Sequence, residues 1–251
     1  MMMDKTIGLI FRVRYAKRVR NTSGSNLCQI RGLVFDLDGT LIHSTIDFPL
    51  MRHMMFARMR QSGIPGMMLD GNKSMASNLQ ACYRYLDEEG SKDASISLLS
   101  DAARIMNEIE MLKVWQTQAV PGVSEAICRL IDDGYSMAVL TRGSRGYTEA
   151  ALTASGLIGY FANIVCRDDY PEEEAKPNPI SLARAAGKLN VAKEKCLLVG
   201  DHEMDLECAL SAGSSFVGVL SGATNMRTWT RLGDIMIIPD VSYLPDILTR
   251  N

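Results

Sequence analysis

The amino-acid sequence predicts an α/β protein in which a parallel sheet is flanked by helices and interrupted by a helical insertion. Two patterns carry that expectation. Short β-rich apolar runs alternate with helical periodicity along most of the chain, and a strand-free stretch of three amphipathic helices follows the first strand. Composition agrees, because 251 residues with 47% hydrophobic and 22% charged side chains suffice for a substantial buried core.

Ahead of the first strand, residues 1–26 carry six Lys or Arg and one Asp, and end in Asn21-Thr22-Ser23-Gly24-Ser25-Asn26. A basic, acid-poor stretch alone is a weak targeting signal, and this one lacks the continuous apolar centre of a secretory leader, so it reads as a disordered extension. Beyond it, strands are expected at Gly32–Asp36, Met137–Thr141, Asn163–Cys166, Lys195–Val199, Ser215–Val219 and Asp234–Ile238. Helical spacing of apolar residues covers Val123–Asp132, Tyr147–Ser155, Pro179–Leu189, Asp205–Ala212 and Thr224–Arg231. Gly134, Gly156 and Gly213 fall just after three of these, where a C-cap or tight turn belongs.

From about Thr45 to Gln118 the chain is far longer than a crossover needs and contains no convincing strand. Its helices are expected at Leu50–Gln61, Lys73–Asp87 and Ser95–Trp115, the last with Leu98, Leu99, Ala102, Ile105, Met106, Ile109 and Leu112 at three- and four-residue steps. This pattern predicts a helical cap over residues 46–117, inserted into a core made of 27–45 and 118–251. The methionines Met51, Met54, Met55, Met59, Met67, Met68 and Met75 read as adaptable packing between those helices.

After residue 26 the body holds 21 basic against 28 acidic residues. That balance does not suit nucleic acid as a partner, although it leaves room for a locally positive pocket. No apolar run approaches the roughly 20 residues that span a bilayer, so no membrane-embedded body is expected. Six cysteines (Cys28, Cys82, Cys128, Cys166, Cys196, Cys208) form no C-x-x-C pair. They predict a reducing, cytoplasmic setting with thiols used as small core residues. A monomer and a homodimer are equally compatible with these features.

Asp36 and Asp38 stand where the first strand ends and a Gly-Thr turn begins, and alternation along an extended segment lets both carboxylates approach one crevice. Two charges that close are tolerable when a cation lies between them or one carboxyl keeps its proton, and both conditions serve catalysis. A lone D-x-D is weak, since Asp commonly caps backbone donors at such a junction. Further residues strengthen it by falling at or just beyond the C-terminal ends of predicted parallel strands, where open α/β sheets build their sites. Thr141, followed by Arg142-Gly143-Ser144, offers a hydroxyl and N–H groups suited to phosphate oxygens. Arg142 is a cation that either binds the substrate phosphate or covers the site's edge. Lys176 precedes a helix start marked by Pro179, and its ammonium can neutralise both a phosphate and a carboxylate. Asp201 and Asp205 follow the apolar run Cys196–Val199 and supply hard oxygen ligands.

Taken in order, Asp36-Leu37-Asp38-Gly39-Thr40, Thr141, Lys176, and Gly200-Asp201 with Asp205 resemble the four motifs of the haloacid dehalogenase (HAD) superfamily. The resemblance spans the chain from about Leu27 onward. It implies a Rossmann-like parallel sheet with the first and fourth strands adjacent, so that Asp36 and Asp201 face each other. It also makes the insertion similar to the cap of phosphoglycolate-phosphatase-like members. Chemically, it implies a magnesium-dependent phosphatase acting on a small phosphorylated metabolite. Asp36 would then be the nucleophile that forms an aspartyl-phosphate, and Asp38 the general acid and base. Thr141 and Lys176 would hold the phosphoryl oxygens. Mg2+ would sit on Asp36, Asp201, the main-chain carbonyl of Asp38 and, directly or at one remove, Asp205. Dehalogenase and phosphonatase members typically lack the aspartate at position 38, so phosphoryl transfer from a monoester is favoured. A phosphomutase or phosphotransferase would use the same aspartates, and an inactive regulatory protein on this scaffold is disfavoured by the complete motif set. His43, His202 and the run Glu172-Glu173-Glu174 read as solvated loop residues, with the two histidines also in reach of a substrate.

Overall fold

The computed structural model describes residues 27–248, and the predicted extension 1–26 lies outside them. In chain order the elements begin with strands β1 (Gly32–Phe35) and β2 (Ile42–His43), then helices α1 (Phe48–Gln61), α2 (Met75–Glu88) and α3 (Lys92–Met111). Next come β3 (Gln118–Ala119), α4 (Val123–Asp132), β4 (Ser136–Leu140), α5 (Arg145–Ala154), β5 (Asn163–Val165) and α6 (Pro179–Lys188). The chain continues through β6 (Cys196–Gly200), α7 (Glu203–Ala212), β7 (Ser215–Val219), α8 (Met226–Leu232), β8 (Met236–Ile238) and α9 (Leu244–Leu248).

Six of the strands form one parallel sheet in the order β5-β4-β1-β6-β7-β8. Every residue of β1 and β6 is buried, which is why these strands are continuous apolar runs in the sequence rather than alternating ones. Alternation decides which layer each residue enters. Leu33 and Phe35 join the cluster containing Ile127, Tyr147 and Val241, whereas Val34 joins the opposite one with Leu182, Leu198 and Ala209.

The three long insertion helices pack around a cluster of their own, with Met51, Met55, Met59, Leu79, Cys82, Leu86, Leu98 and Ile105 buried in it. Of the methionines read as packing residues, Met51, Met55 and Met59 are buried in this cluster and half-buried Met54, Met68 and Met75 pack against it, while Met67 is 95% exposed in the turn between α1 and α2. At the root of the insertion, β2 and β3 pair antiparallel through Ile42 with Ala119 and His43 with Gln118. This two-residue ladder escaped the sequence, because two residues show no period.

Helix starts differ from the sequence reading where a cap was overlooked. Helix α5 begins at Arg145 rather than Tyr147, since the Ser144 hydroxyl accepts the Tyr147 N–H at 3.3 Å. Helix α8 begins at Met226 because Asn225 Oδ1 accepts the Thr228 N–H at 3.0 Å. The third insertion helix ends at Met111 instead of Trp115, and a 3-10 turn at Val114–Gln116 carries the chain back towards the sheet. No helix among the described residues is long and apolar enough to cross a membrane.

Candidate active site

The C-terminal ends of β1, β4 and β6 lie side by side, and each delivers one predicted site residue to the same edge. Asp36 follows β1 directly and donates its N–H to the Val199 carbonyl at 2.9 Å, which fixes it against β6. Thr141 follows β4 and donates its own N–H to Val165 at 3.0 Å. Asp201 follows β6, and Asp205 comes from the first turn of α7, where its Oδ2 accepts the His202 N–H at 3.2 Å. Lys176, from the loop before α6, ion-pairs with Asp36 and reaches Asp205 Oδ1 at 2.7 Å. Asp36, Asp201 and Asp205 each place a carboxylate oxygen within 4.8 Å of the others. The sequence expectation that Asp36 and Asp201 face one another therefore describes the geometry.

This cluster is deeply buried, with Lys176 3%, Asp205 1%, Asp201 6% and Asp36 7% exposed. Burial would push the Lys176 ammonium down, but Asp205 and Asp36 outweigh it and hold it above its ordinary value, so Lys176 stays charged. The Asp36 carboxyl is held well above the usual range, first by burial and then by Asp205 and Asp201, against the pull of Lys176. Burial raises Asp201 as well, partly offset by the Ala223 N–H. Three carboxyls thus share one ammonium, an imbalance that a hard divalent cation would correct.

Glycines shape this cradle closely. A Cβ on Gly222 would lie 2.0 Å from Asp201 Oδ2, one on Gly39 would lie 2.5 Å from the same atom, and one on Gly200 would lie 2.5 Å from Asp205 Cγ. The loop after β7 also closes on Asp201 through the Ala223 N–H, which donates to Oδ2 at 2.6 Å, while Ser221 Oγ donates to the Gly39 carbonyl at 2.7 Å. This fourth wall was missed in the sequence. Its signal is the small-residue run Ser221-Gly222-Ala223 just beyond a predicted strand end. Asp36, Asp201 and Asp205 form a hard oxygen donor set that could hold a divalent cation such as Mg2+. The Asp38 side chain turns elsewhere.

Asp38 Oδ1 accepts the Tyr147 hydroxyl at 2.5 Å. Burial raises the Asp38 carboxyl to about 6, although hydrogen bonds from Tyr147 and Ser44 pull against it. The Tyr147 hydroxyl is itself pushed up by burial and by Asp38, so it retains its proton and donates.

The predicted phosphate loop differs from expectation. Gly143 donates its N–H to Thr141 Oγ1 at 2.9 Å, and the Ser144 N–H goes to Glu110 Oε2 at 3.2 Å, so neither is free for an anion. Arg142 donates to the Lys176 carbonyl at 2.6 Å and ion-pairs with Glu172, which places it over the edge of the site, tethering the Lys176 loop. Glu172 is thus an anchor for Arg142 rather than a purely solvated residue. His43 is exposed, and exposed His202 caps α7 with Nδ1 accepting the Met204 N–H at 3.1 Å. Tyr147, Glu110 and Arg167 were not singled out in the sequence at all.

A parallel sheet with an inserted helical segment and an acidic crevice at the strand ends defines a class of hydrolases. The chain belongs to that class by direct comparison: the model of the haloacid dehalogenase-like hydrolase family matches residues 33–219. It is 29% identical over 205 residues to the phosphoglycolate phosphatase of Pectobacterium atrosepticum, covering 79% of this chain and 83% of that one. With the phosphoglycolate phosphatase of Cereibacter sphaeroides it shares 30% identity over 220 residues, covering 87% and 98%. A solved structure described as a predicted phosphoglycolate phosphatase from Haemophilus somnus overlays with a TM-score of 0.59 at 24% identity, covering 87% and 98%, a likeness of fold. Family and relatives together make this chain a phosphatase.

Proposed function

We propose that this protein is a magnesium-dependent phosphatase that hydrolyses a small phosphate monoester through an aspartyl-phosphate on Asp36. The observation that carries the proposal is the buried cluster of three carboxyls around one ammonium at the strand ends. An anionic ester resists an anionic nucleophile, so attack by Asp36 requires positive charge against the phosphoryl oxygens, and Lys176 is built in to supply part of it. Mg2+ held by Asp36, Asp201, Asp205 and the main-chain carbonyl of Asp38 would supply the rest when bound, withdrawing charge from the transferring group.

Asp36 attacks phosphorus and becomes the acyl-phosphate. Asp38, with a carboxyl near neutrality, gives its proton to the departing alkoxide and afterwards takes one from the water that hydrolyses the intermediate. Thr141 and Lys176 hold the phosphoryl oxygens, and Arg142 acts from the rim by keeping the Lys176 loop in place. The helical insertion, residues 46–117, serves as the cap that closes over the core of 27–45 and 118–251 and excludes bulk water. The names of the relatives favour 2-phosphoglycolate as the first ester to test.

The test is free phosphate released from a panel of phosphate esters, with and without Mg2+, by the parent chain and Asp36→Asn. Magnesium-dependent release by the parent, and none by a folded Asp36→Asn, is expected. Turnover retained in Asp36→Asn, or isomerised product without phosphate, would overturn the reading.

A further inference from the structure

Among the buried groups that the proposed chemistry does not use, Tyr147 has the most specific surroundings. Its side chain is fully buried on the first turn of α5, where no solvent would need a hydroxyl. The ring lies against the loop after β4, since a Cβ on Gly143 would come within 2.8 Å of Tyr147 Cδ1. The hydroxyl reaches across to Asp38 Oδ1 at 2.5 Å. One rigid side chain thus spans the two halves of the site, the loop after β4 and the turn after β1. Helix α5 is itself anchored at its start. Ser144 caps it, and the Ser144 hydroxyl donates to buried Glu110 at 2.7 Å.

We infer that Tyr147 is a positioning residue, which grips one oxygen of the Asp38 carboxyl so that the other faces the leaving group. The inference rests on the reading of Asp38 as general acid and base. A carboxyl carries one transferable proton and can accept at its second oxygen, so Oδ1 engaged by Tyr147 leaves Oδ2 as the proton-bearing atom. As the bond from phosphorus to the ester oxygen breaks and the bond to Asp36 forms, the Oδ2 proton passes to that ester oxygen. Tyr147 keeps its own proton throughout. A burial-filling role would be served equally by phenylalanine, and that difference makes the inference testable.

Proton donation matters for a poor leaving group and hardly at all for a good one. Tyr147→Phe and Asp38→Asn, alone and combined, are therefore assayed on 2-phosphoglycolate, or on the alkyl phosphate that the panel identifies, and on p-nitrophenyl phosphate. The expected result for Tyr147→Phe is a fall in kcat/KM of about 10- to 100-fold on the alkyl ester, part of what general acid catalysis supplies, with the aryl ester changed less than about threefold. In the Asp38→Asn background the same substitution should have little further effect on the alkyl ester. Equal losses on both esters in Tyr147→Phe, or a full loss in the Asp38→Asn background, would overturn the role of Tyr147 alone, provided Asp38→Asn selectively loses the alkyl ester. Equal losses in Asp38→Asn would instead overturn Asp38 as the acid, and the Tyr147 assignment with it.

Discussion

Glu110 and Arg167 join the helical insertion to the sheet through a buried ion pair, Nη1 to Oε1 at 2.6 Å, with only 3% and 9% of the two side chains exposed. Each partner is otherwise well satisfied. Glu110 accepts from both the N–H and the hydroxyl of Ser144, and Arg167 donates to Asn107 at 2.7 Å and to the Arg142 carbonyl at 3.1 Å. Removing one member of such a pair leaves a buried charge uncompensated, whereas an exposed bridge contributes little. Arg167→Met should therefore lower the free energy of unfolding by about 3 kcal/mol. In the double variant Arg167→Met with Glu110→Gln, most of that loss should return, because no unpaired charge remains. Urea unfolding checks both. A loss below about 1 kcal/mol in the single variant would reduce the pair to the level of a surface bridge.

Asp38 supplies a pH signature. Its carboxyl titrates at about 6 in the fold against an ordinary 3.8, with burial the dominant cause. A carboxyl raised in this way binds its proton more tightly folded than unfolded. Its contribution to stability is thus complete below about pH 4 and is lost as the pH rises through about 6. Asp38→Asn fixes the uncharged form and keeps an oxygen to accept the Tyr147 hydroxyl. In the presence of a chelator, the variant should unfold at higher urea than the parent near pH 7.5, and the difference should vanish near pH 4. A difference that is the same at both values would exclude ionisation of Asp38 as its source.

The parts of this molecule legible in the sequence are those written by local pattern. Strands such as Cys196–Gly200 are apolar throughout because both faces are covered, and Asp36, Thr141, Lys176, Asp201 and Asp205 stand at element ends that such runs locate. Relationships between distant segments left no comparable mark. Glu110 looks like one more polar residue on an amphipathic helix, and only the fold brings it to Ser144, 34 residues later, and to Arg167, 57 residues later. Tyr147 likewise reads as an apolar core position, since its ring is one, and its contact with Asp38 spans 109 residues. The Gly143 and Ser144 N–H groups suit phosphate by local chemistry alone, but Thr141 Oγ1 accepts the first and the distant Glu110 accepts the second.

Gly222 tests how much the acidic cradle depends on the wall that the sequence did not reveal. A methyl group there would lie 2.0 Å from Asp201 Oδ2 and 2.6 Å from Asp201 Cβ. The Gly222 backbone lies outside the left-handed region, so alanine is not excluded by its own conformation; the conflict is with Asp201. Asp201 is tightly held where it stands, because Oδ2 accepts the Ala223 N–H at 2.6 Å and Gly39 also closes on it. Asp201 and the loop that carries Ala223 must therefore move apart, which displaces the carboxylate from the cluster. For the parent, Mg2+ at 100 times its dissociation constant should stabilise the fold by about 2.7 kcal/mol, read as a rise in Tm. Gly222→Ala should lose more than half of that rise and about 100-fold in kcat/KM, the order expected for a misplacement near 1 Å. Gly187→Ala is the control, since open space surrounds that position, and it should match the parent in both measurements. If Gly222→Ala keeps the parent's magnesium response, Asp201 does not need its observed position to hold the ion, and the ligand assignment fails.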